Sequence, residues 1–240
     1  MNRWLRALYR VYGLCIFAPL LCLSTIFFGT LAVLLAAVLP PSTVSFICGR
    51  SWARWNSALT PMWVRVTGRE NVTPGQSYVV VSNHLSHYDI FVLYGWLGID
   101  FRWVMKQELR RTPFIGIACE RLGHIFIDRD HRKAALASID RAKSRIVDGT
   151  SVLFFPEGTR SRDGNLQPFK KGAFMLALDL GLPILPVTVS GTREILPPCT
   201  TSLFPGKASL SIHEPIDTSR FSVGTLSELM AIARERIVSA

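Results

Sequence analysis

The chain has 240 residues, enough for one sizeable folded core with an appendage and too few for two full catalytic domains. Its formal net charge of +10 favours an anionic partner, such as nucleic acid, an anionic membrane surface or a phosphorylated substrate. A mean hydropathy of +0.28, with only 18% charged residues, is high for a soluble globular protein. The composition therefore favours membrane contact and argues against a nucleic-acid partner.

The cysteines argue against two further classes of protein. They are scattered and odd in number, without a C-x-x-C pair, at positions Cys15, Cys22, Cys48, Cys119 and Cys199. Neither a disulfide framework nor a zinc site is expected from such spacing. We therefore expect reduced thiols, which fits a catalytic face on the cytoplasmic side of a membrane.

A long apolar segment lies near the N-terminus. No charged residue occurs over residues 11–49, and residues 14–39 are mainly Leu, Ile, Phe, Val and Ala. A membrane-spanning helix needs about 20 such residues, and this run is longer than the apolar core of a cleaved signal peptide. We therefore assign residues 1–66 to a membrane-associating helical segment, anchored in the cytoplasmic membrane.

The flanks of this segment leave two topologies open. Arginines occur on both sides of it, at Arg3, Arg6, Arg10, Arg50, Arg54 and Arg65. Because basic residues favour the cytoplasmic side, both ends would lie there, which a bent or re-entrant helix pair satisfies. Pro19, Gly29 and Pro40-Pro41 offer positions for a bend. Three tryptophans suit the headgroup level: Trp52, Trp55 and Trp63. One true span remains the alternative.

After Gly68 the chain alternates short β-branched runs with helical patterns, which predicts an α/β domain over residues 67–240. Strands are predicted at residues 78–82, 101–105, 124–127, 152–155, 184–189 and 208–213. Helices are predicted at residues 86–96, 131–147, 170–180 and 225–238. Several strands are continuously apolar, as strands buried on both faces are. We expect a central, mostly parallel or mixed sheet flanked by helices, with the N-terminal helical element embedded in the membrane.

The first candidate site follows the strand at 78–82, where the chain reads Asn83-His84-Leu85-Ser86-His87-Tyr88-Asp89. Ser86 is a candidate helix N-cap. His84 would lie at the carboxyl end of the strand, where open α/β sheets bind ligands. Asp89, in the first helical turn, can accept the imidazole Nδ1–H and leave Nε2 as a base. The alternative is a capping cluster without a catalytic role.

The same turn also suggests a metal site. His84, His87 and Asp89 are three possible ligands, which would suit a metal-dependent hydrolase. A metal site generally needs three or four ligands, and no further cluster of His or Cys completes the set. We therefore expect no metal here and keep the hydrolase as the alternative class of enzyme.

Charged residues follow three other predicted strands. Glu157, Gly158 and Arg160 come directly after the strand at 152–155. Gly158 permits close backbone approach, Arg160 offers a planar fork for phosphate, and Glu157 can order that Arg or the acceptor. Arg129 follows the strand at 124–127, and Lys106 follows the strand at 101–105. If these strand ends meet in one crevice, their cations form a phosphate site, although each cation alone is typical of a solvated surface.

Together these blocks resemble the glycerolipid acyltransferase family, best known from 1-acyl-glycerol-3-phosphate acyltransferases. Residues 83–89 are similar to its first motif, a His and an Asp separated by four residues. Residues 123–129 are similar to the second motif, 155–161 to the third and 182–187 to the fourth. The order and spacing agree, and the resemblance covers about residues 68–192.

The resemblance implies a role for each matching residue. His84 is expected to be the general base and Asp89 the residue that orients it. The acceptor's phosphate and glycerol are expected to contact Arg129, Glu157, Gly158, Thr159 and Arg160, with Lys106 nearby. Pro186, in the fourth motif, is expected on the acyl-donor side.

The resemblance also implies a reaction. The acceptor hydroxyl attacks an acyl thioester directly, so neither a cofactor nor a Ser or Cys nucleophile is expected. Acyl-CoA or acyl-carrier protein is the co-substrate, membrane lipids are the partners, and phosphatidate is the product. Glycerol-3-phosphate, a lyso-ornithine lipid or another lysophospholipid are alternative acceptors, and a non-enzymatic lipid-binding role is a further alternative. The pattern specifies neither the acyl-chain length nor an oligomeric state.

Overall fold

The computed structural model describes residues 3–128, 131–146, 148–198 and 200–240. The N-terminal segment forms a helical hairpin. Its first arm consists of α1 (Arg3–Tyr12), a π-helical turn (Gly13–Phe17) and α2 (Ala18–Leu35). Its second arm consists of α3 (Pro41–Val44), another π-helical turn (Ser45–Gly49) and α4 (Arg50–Leu59). The chain reverses between the arms at residues 36–40, and the first arm continues through Pro19 and Gly29.

The two arms are joined by polar contacts between otherwise apolar faces. The Trp52 indole donates to the Thr25 hydroxyl at 3.0 Å, and the Ser24 hydroxyl donates to Asn56 Oδ1 at 3.1 Å. The stretch Ala7–Leu35 is long and apolar enough to cross a membrane. Only 11% of the residues in its most apolar 18-residue segment are buried within the protein. Of the two topologies that the sequence leaves open, the structure shows a helix pair, and its chain reversal at residues 36–40 ends directly before Pro41.

The described residues contain one sheet of seven strands in the order β1-β7-β6-β2-β5-β3-β4. The strands are β1 (Met62–Thr67), β2 (Val79–Ser82), β3 (Phe101–Lys106), β4 (Ile125–Ile127), β5 (Ser151–Phe154), β6 (Ile184–Ser190) and β7 (Gly206–Ile212). Every neighbouring pair is parallel except β6 with β7. The expected mixed sheet and its six predicted strands are confirmed.

Strand β1 was not predicted from the sequence. It lies at an edge of the sheet and pairs in parallel with β7. Its side chains alternate between more and less buried positions, and Trp63 and Arg65 are exposed. In the sequence, these two exposed residues are therefore interpreted as part of the segment that flanks a membrane helix. The expected boundary between residues 66 and 67 falls inside this strand.

Six further helices surround the sheet in the described part of the chain. They are α5 (Tyr88–Trp96), α6 (Ile115–Arg121), α7 (Arg132–Ala142), α8 (Gly172–Leu180), α9 (Thr192–Ile195) and α10 (Leu226–Val238). The four predicted helices correspond to α5, α7, α8 and α10, and the predicted residue 147 lies outside the described residues. The sequence analysis missed α6 and α9, which are too short to show a helical period.

The two faces of the sheet carry separate cores. Val80, Leu153 and Leu185 pack on one face together with α4, α5 and the start of the hairpin. Val79 and Val152 pack on the other face against α7, α8 and α10. Because successive side chains of a strand point to opposite faces, both cores require an apolar residue at every position. This requirement explains the continuously apolar strands in the sequence.

Candidate active site

Three chain segments meet at the carboxyl ends of the central parallel strands. His84 follows β2, Gly158 to Arg160 follow β5, and Lys106 ends β3, which is the order of these strands in the sheet. Their side chains and that of His87 line one cavity of about 540 Å³. The convergence expected from the sequence therefore holds for these residues. Arg129, expected beside them, lies outside the described residues.

His84 and Asp89 form a hydrogen-bonded dyad. The distance between His84 Nδ1 and Asp89 Oδ2 is 2.8 Å, and Asp89 is fully buried while the imidazole is 14% exposed. The Phe155 ring stacks on the imidazole with 3.8 Å between centroids and an interplanar angle of 10°. Ring stacking and the carboxylate together fix the imidazole plane. The other ring nitrogen, Nε2, is left for a substrate.

Asp89 is held by three further donors. Its Oδ2 accepts the backbone N–H groups of Leu85 at 2.6 Å and Ser86 at 2.9 Å. Its Oδ1 accepts the hydroxyl of Thr192 at 2.5 Å. A buried carboxylate is costly unless such bonds replace its hydration. The carboxylate is therefore solvated by the protein on both oxygens, which suits it to orient a histidine.

Glu157 has a different environment from the one expected. Its Oε1 accepts the backbone N–H of His84 at 2.7 Å, and its Oε2 accepts that of Gln167 at 2.8 Å. Burial raises the pKa of Glu157, since its side chain is almost inaccessible to water. The carbonyl of His84 in turn accepts the N–H of Ser161 at 2.8 Å. Both backbone groups of His84 are thus held by the loop after β5.

The cations at the mouth of the cavity differ in exposure. Arg160 lines the cavity and is half-buried. Lys106 lines it too, with a side chain that is 50% exposed and lies 2.8 Å from Glu108. His87 lines the cavity as well, and partial burial, with the charges of Arg160 and His84 nearby, lowers the pKa of His87.

Gly158 adopts a left-handed backbone conformation with φ of 74°. A Cβ at this position would lie 2.7 Å from the side chain of Lys170. Glycine therefore permits both the turn and the close approach of a lysine behind it. Thr159 follows on the cavity wall.

Pro186 lies elsewhere than expected. It is a buried residue of β6, opposite Val81 of β2, and it does not line the cavity. Its carbonyl accepts the N–H of His213, just beyond the end of β7. A proline without an N–H is tolerated here because the partner strand has ended. Pro186 therefore contributes to strand pairing in the sheet, while its expected place on the acyl-donor side stays a prediction.

The interior of the cavity is apolar. Its walls come from α2, the second arm of the hairpin, β3 and α6, and include Phe28, Ala32, Trp52, Val104, Ala118 and Leu122. These residues could not be predicted from the sequence, because residues that line an apolar cavity and residues of the core have the same composition. The part of the chain described here holds no group of three His, Cys, Asp or Glu side chains arranged to bind a metal ion.

Hydrogen bonds that the sequence does not predict attach the His84 turn to the sheet and to the segment after it. The Asn83 amide exchanges two hydrogen bonds of 2.8 Å with the backbone of Val189. The Ser86 hydroxyl accepts the N–H of Tyr88, close to the predicted N-cap role, and donates to the carbonyl of Leu196 at 2.8 Å. Asn83 and Ser86 lie within the first motif, but nothing in the pattern identifies Val189 and Leu196, which lie more than 100 positions further along the chain.

Comparison with known proteins agrees with this geometry. A family model described as Acyltransferase matches residues 63–190. A 1-acyl-sn-glycerol-3-phosphate acyltransferase of Borreliella burgdorferi is 31% identical over 197 residues, which cover 81% of this chain and 78% of that protein. One of Chlamydomonas reinhardtii is 34% identical over 190 residues, covering 78% and 56% respectively.

A solved structure shows the same fold over nearly the whole chain. The crystal structure of the 1-acyl-sn-glycerophosphate (LPA) acyltransferase PlsC from Thermotoga maritima superposes with a TM-score of 0.81 at 28% identity. The match covers 99% of this chain and 95% of that one. The chain spans about half the length of several curated algal and plant relatives, 56% in one and 45% in two others. By the family model and these relatives, the chain belongs to the Acyltransferase family.

Proposed function

We propose that this protein transfers a fatty acyl group from acyl-CoA or acyl-carrier protein to the free hydroxyl of 1-acyl-glycerol-3-phosphate, which yields phosphatidate for phospholipid biosynthesis. The observation that carries the proposal is a His84–Asp89 dyad at the mouth of an apolar cavity whose rim bears Arg160 and Lys106. The names of the relatives support the same acceptor.

The dyad accounts for the chemical step. Nε2 of His84 removes the proton of the acceptor hydroxyl while its oxygen attacks the thioester carbonyl. Asp89 keeps the proton on Nδ1 and stabilises the imidazolium that forms. When the tetrahedral intermediate collapses, the C–S bond breaks and the thiolate takes the proton back from His84. The reaction then needs neither an acyl-enzyme nor a cofactor.

The rim accounts for recognition of the acceptor. Arg160 presents a planar donor fork to the phosphate, and Lys106 adds a second positive charge. Gly158 and Thr159 lie on the same wall and contact the glycerol phosphate. Glu157 acts indirectly, because its carboxylate holds the backbone of His84. Arg129 belongs to the expected phosphate site by the resemblance alone.

The apolar interior accounts for the acyl chain. Its volume of about 540 Å³ lies in the range of sites that enclose a small ligand. Each methylene that leaves water contributes about 0.8 kcal/mol, so a chain inside this cavity is bound strongly without polar contacts. We therefore assign the acyl-donor side to the walls from α2, β3 and α6.

The hairpin supports attachment to the cytoplasmic face of a membrane without a full crossing. The Tyr12 hydroxyl donates to the carbonyl of Leu59 at 2.6 Å, so the start of the first arm lies beside the end of the second. The basic flanks thus lie on one side, as the positive-inside rule favours. Gly29 packs against the backbone of Phe114, so α2 stays in contact with the α/β domain over most of its length. Exposed apolar side chains near the reversal, including Leu34 and Val38, are left for the lipid.

The direct test is transfer of a radiolabelled acyl group by the purified protein in detergent micelles. Acyl-CoA and acyl-carrier protein are offered separately as donors, and lysophosphatidate is the acceptor. Wild type is compared with His84→Ala and with His131→Ala. His131 forms a similar pair with Asp128 at 2.8 Å, but it is exposed and does not line the cavity.

We expect phosphatidate from wild type and from His131→Ala, and none above background from His84→Ala. If His84→Ala is as active as wild type, the dyad does not catalyse the reaction. If wild type makes no phosphatidate but acylates glycerol-3-phosphate or a lyso-ornithine lipid, the enzyme class stands and the acceptor is wrong.

A further inference from the structure

The turn that carries the dyad is hydrogen-bonded to a second segment far along the chain. We call residues 83–89 the histidine turn, and the second segment comprises residues 189–196. Three side chains of the histidine turn form hydrogen bonds with this segment: Asn83 with the backbone of Val189, Ser86 with the carbonyl of Leu196, and Asp89 with the Thr192 side chain. Of these contacts, only the last reaches the dyad itself.

The contact between Thr192 and Asp89 is entirely buried. Both residues have no exposed surface, and Thr192 Oγ1 lies 2.5 Å from Asp89 Oδ1. The other carboxylate oxygen, Oδ2, accepts the His84 ring and two backbone N–H groups. The hydroxyl therefore supplies the bond that holds Oδ1, while every bond of Oδ2 comes from the histidine turn.

The position of Thr192 depends on a glycine. Gly191 adopts φ of 81°, and a Cβ there would lie 2.1 Å from the carbonyl oxygen of Lys207. The chain can therefore leave β6 close against β7 and turn Thr192 towards the histidine turn. Thr192 also begins α9, whose Leu196 end is held by Ser86.

We infer that Thr192 is a positioning residue of the dyad: its hydroxyl fixes the plane of the Asp89 carboxylate and so keeps Oδ2 on Nδ1 of His84. This inference rests on the proposed function, since it assigns the dyad to proton transfer. A carboxylate can rotate about its Cβ–Cγ bond, and the bond to Oδ1 opposes that rotation. Without it, His84 loses its fixed orientation and tautomer, and Nε2 is less often available as a base.

The charged and titratable groups around the dyad are the same with or without the Thr192 hydroxyl. They include His87, Glu157 and Arg160, which come from the histidine turn and the loop after β5, and Lys106 at the end of β3. Replacement of Thr192 by valine removes one hydroxyl, keeps the shape of the side chain and changes none of these charges. The effect of that replacement therefore reports on the bond to Asp89.

The test compares Thr192→Val, Thr192→Ser and a matched control, Thr188→Val. Thr188 lies on β6, is also buried, and bonds the carbonyl of Ile237 at 2.9 Å and the His213 ring at 2.8 Å, away from the dyad. We expect Thr192→Val to lower kcat about tenfold with an unchanged KM for both substrates. Thr192→Ser should restore kcat to near the wild-type value, and Thr188→Val should lower stability without changing kcat.

A spectroscopic measurement separates this inference from the proposed function. The ¹⁵N resonances of the His84 imidazole report which ring nitrogen carries the proton, and they do so without substrate. We expect wild type to carry the proton on Nδ1 and Thr192→Val to populate the other tautomer. If wild type shows no transferase activity yet the tautomer shifts, the proposed function fails and the positioning role stands.

Two results would overturn the inference. One is a Thr192→Val protein with the kcat and the imidazole resonances of wild type. The other is a Thr192→Ser protein as impaired as Thr192→Val, since the hydroxyl would then be irrelevant and the methyl group or general packing responsible. Thermal unfolding of all three variants shows whether a loss of kcat comes from a loss of folded protein.

Discussion

The cavity has two halves that differ in origin and chemistry. Its rim carries His84, His87, Lys106 and Arg160, which all come from the ends of parallel strands or the turns after them. Its interior is lined mainly by apolar side chains from the hairpin, β3 and α6. The rim is built from short motifs with definite spacing, whereas much of the interior is built from segments that carry no motif.

This difference separates chemistry from selectivity. At the centre of the rim, the backbone N–H of His84 donates to Glu157, and the backbone N–H groups of Leu85 and Ser86 donate to Asp89, so the dyad is held by hydrogen bonds of fixed geometry. The interior is shaped by packing, in which one apolar side chain replaces another at modest cost. We therefore expect substitutions in the rim to change the rate strongly, and substitutions in the interior to change which acyl chain is used.

The largest effect is expected at the centre of the rim. Asp89→Asn should lower kcat by roughly 100- to 1000-fold. The Asn side chain has one acceptor oxygen, whereas the Asp89 carboxylate accepts four hydrogen bonds on two oxygens. The amide NH₂ group would also favour the tautomer of His84 that carries its proton on Nε2. The measurement is kcat for phosphatidate formation with saturating lysophosphatidate. Asp217→Asn, at an exposed turn, is the matched control and should be unchanged. A kcat within a factor of three of wild type would remove Asp89 from the mechanism.

The next effect is expected at the phosphate side of the rim. Arg160→Ala should lower kcat/KM for lysophosphatidate by about 30-fold, because it removes a charge-assisted hydrogen bond to the phosphate. The same change should have little effect on monoacylglycerol, an acceptor without a phosphate. Arg162→Ala, an exposed cation two positions along that does not line the cavity, is the control. Equal losses with both acceptors would show that Arg160 does not recognise the phosphate.

The third prediction concerns the pH dependence of stability that the buried His124 causes. Burial, with Arg102 nearby, lowers the pKa of His124 to about 3 from the 6.5 that is usual for a histidine in water. Between these two values the unfolded chain binds a proton that the folded protein does not. Stability is therefore lost as the pH falls from 6.5 towards 3, by about 1.4 kcal/mol per pH unit, and this group contributes no pH dependence above that window.

Unfolding by denaturant in micelles between pH 7 and pH 4.5 measures this slope. His124→Gln should reduce the slope by about one proton, because glutamine does not titrate and its side chain can still bond Trp103 and Tyr94, the partners of the imidazole. His131→Gln, at an exposed site, is the control. An identical slope for wild type and His124→Gln would mean that the buried imidazole is protonated in the folded state.

The smallest effect is expected from filling the interior. Ala118→Phe adds a ring to the cavity wall from α6, so the cavity should hold fewer methylenes of the acyl chain. Each methylene excluded costs about 0.8 kcal/mol, or roughly fourfold in the ratio of rates for palmitoyl over octanoyl donors. Ile117→Phe, at an exposed position on the same helix, is the control. An unchanged ratio with Ala118→Phe would place the acyl chain outside this cavity.

The sequence by itself determined the parts of this protein that depend on local pattern. Continuously apolar runs predicted six strands, because strands buried on both faces need an apolar residue at every position. The five-residue step from His84 to Asp89 placed the carboxylate in the first turn of α5, close enough to accept the ring N–H. The apolar run before residue 40 predicted a membrane-associating helix, while a helix pair and a single span both stayed compatible with its basic flanks.

Tertiary structure alone decided the contacts between segments that are distant in the chain. Thr192 bonds Asp89 across 103 positions, Glu157 accepts the backbone N–H of His84, and Pro186 lies inside the sheet. Strand β1 and the apolar interior also depend on which segments pack together. Hydrogen-bond partners and cavity walls follow from three-dimensional proximity, which local propensity and periodicity do not encode.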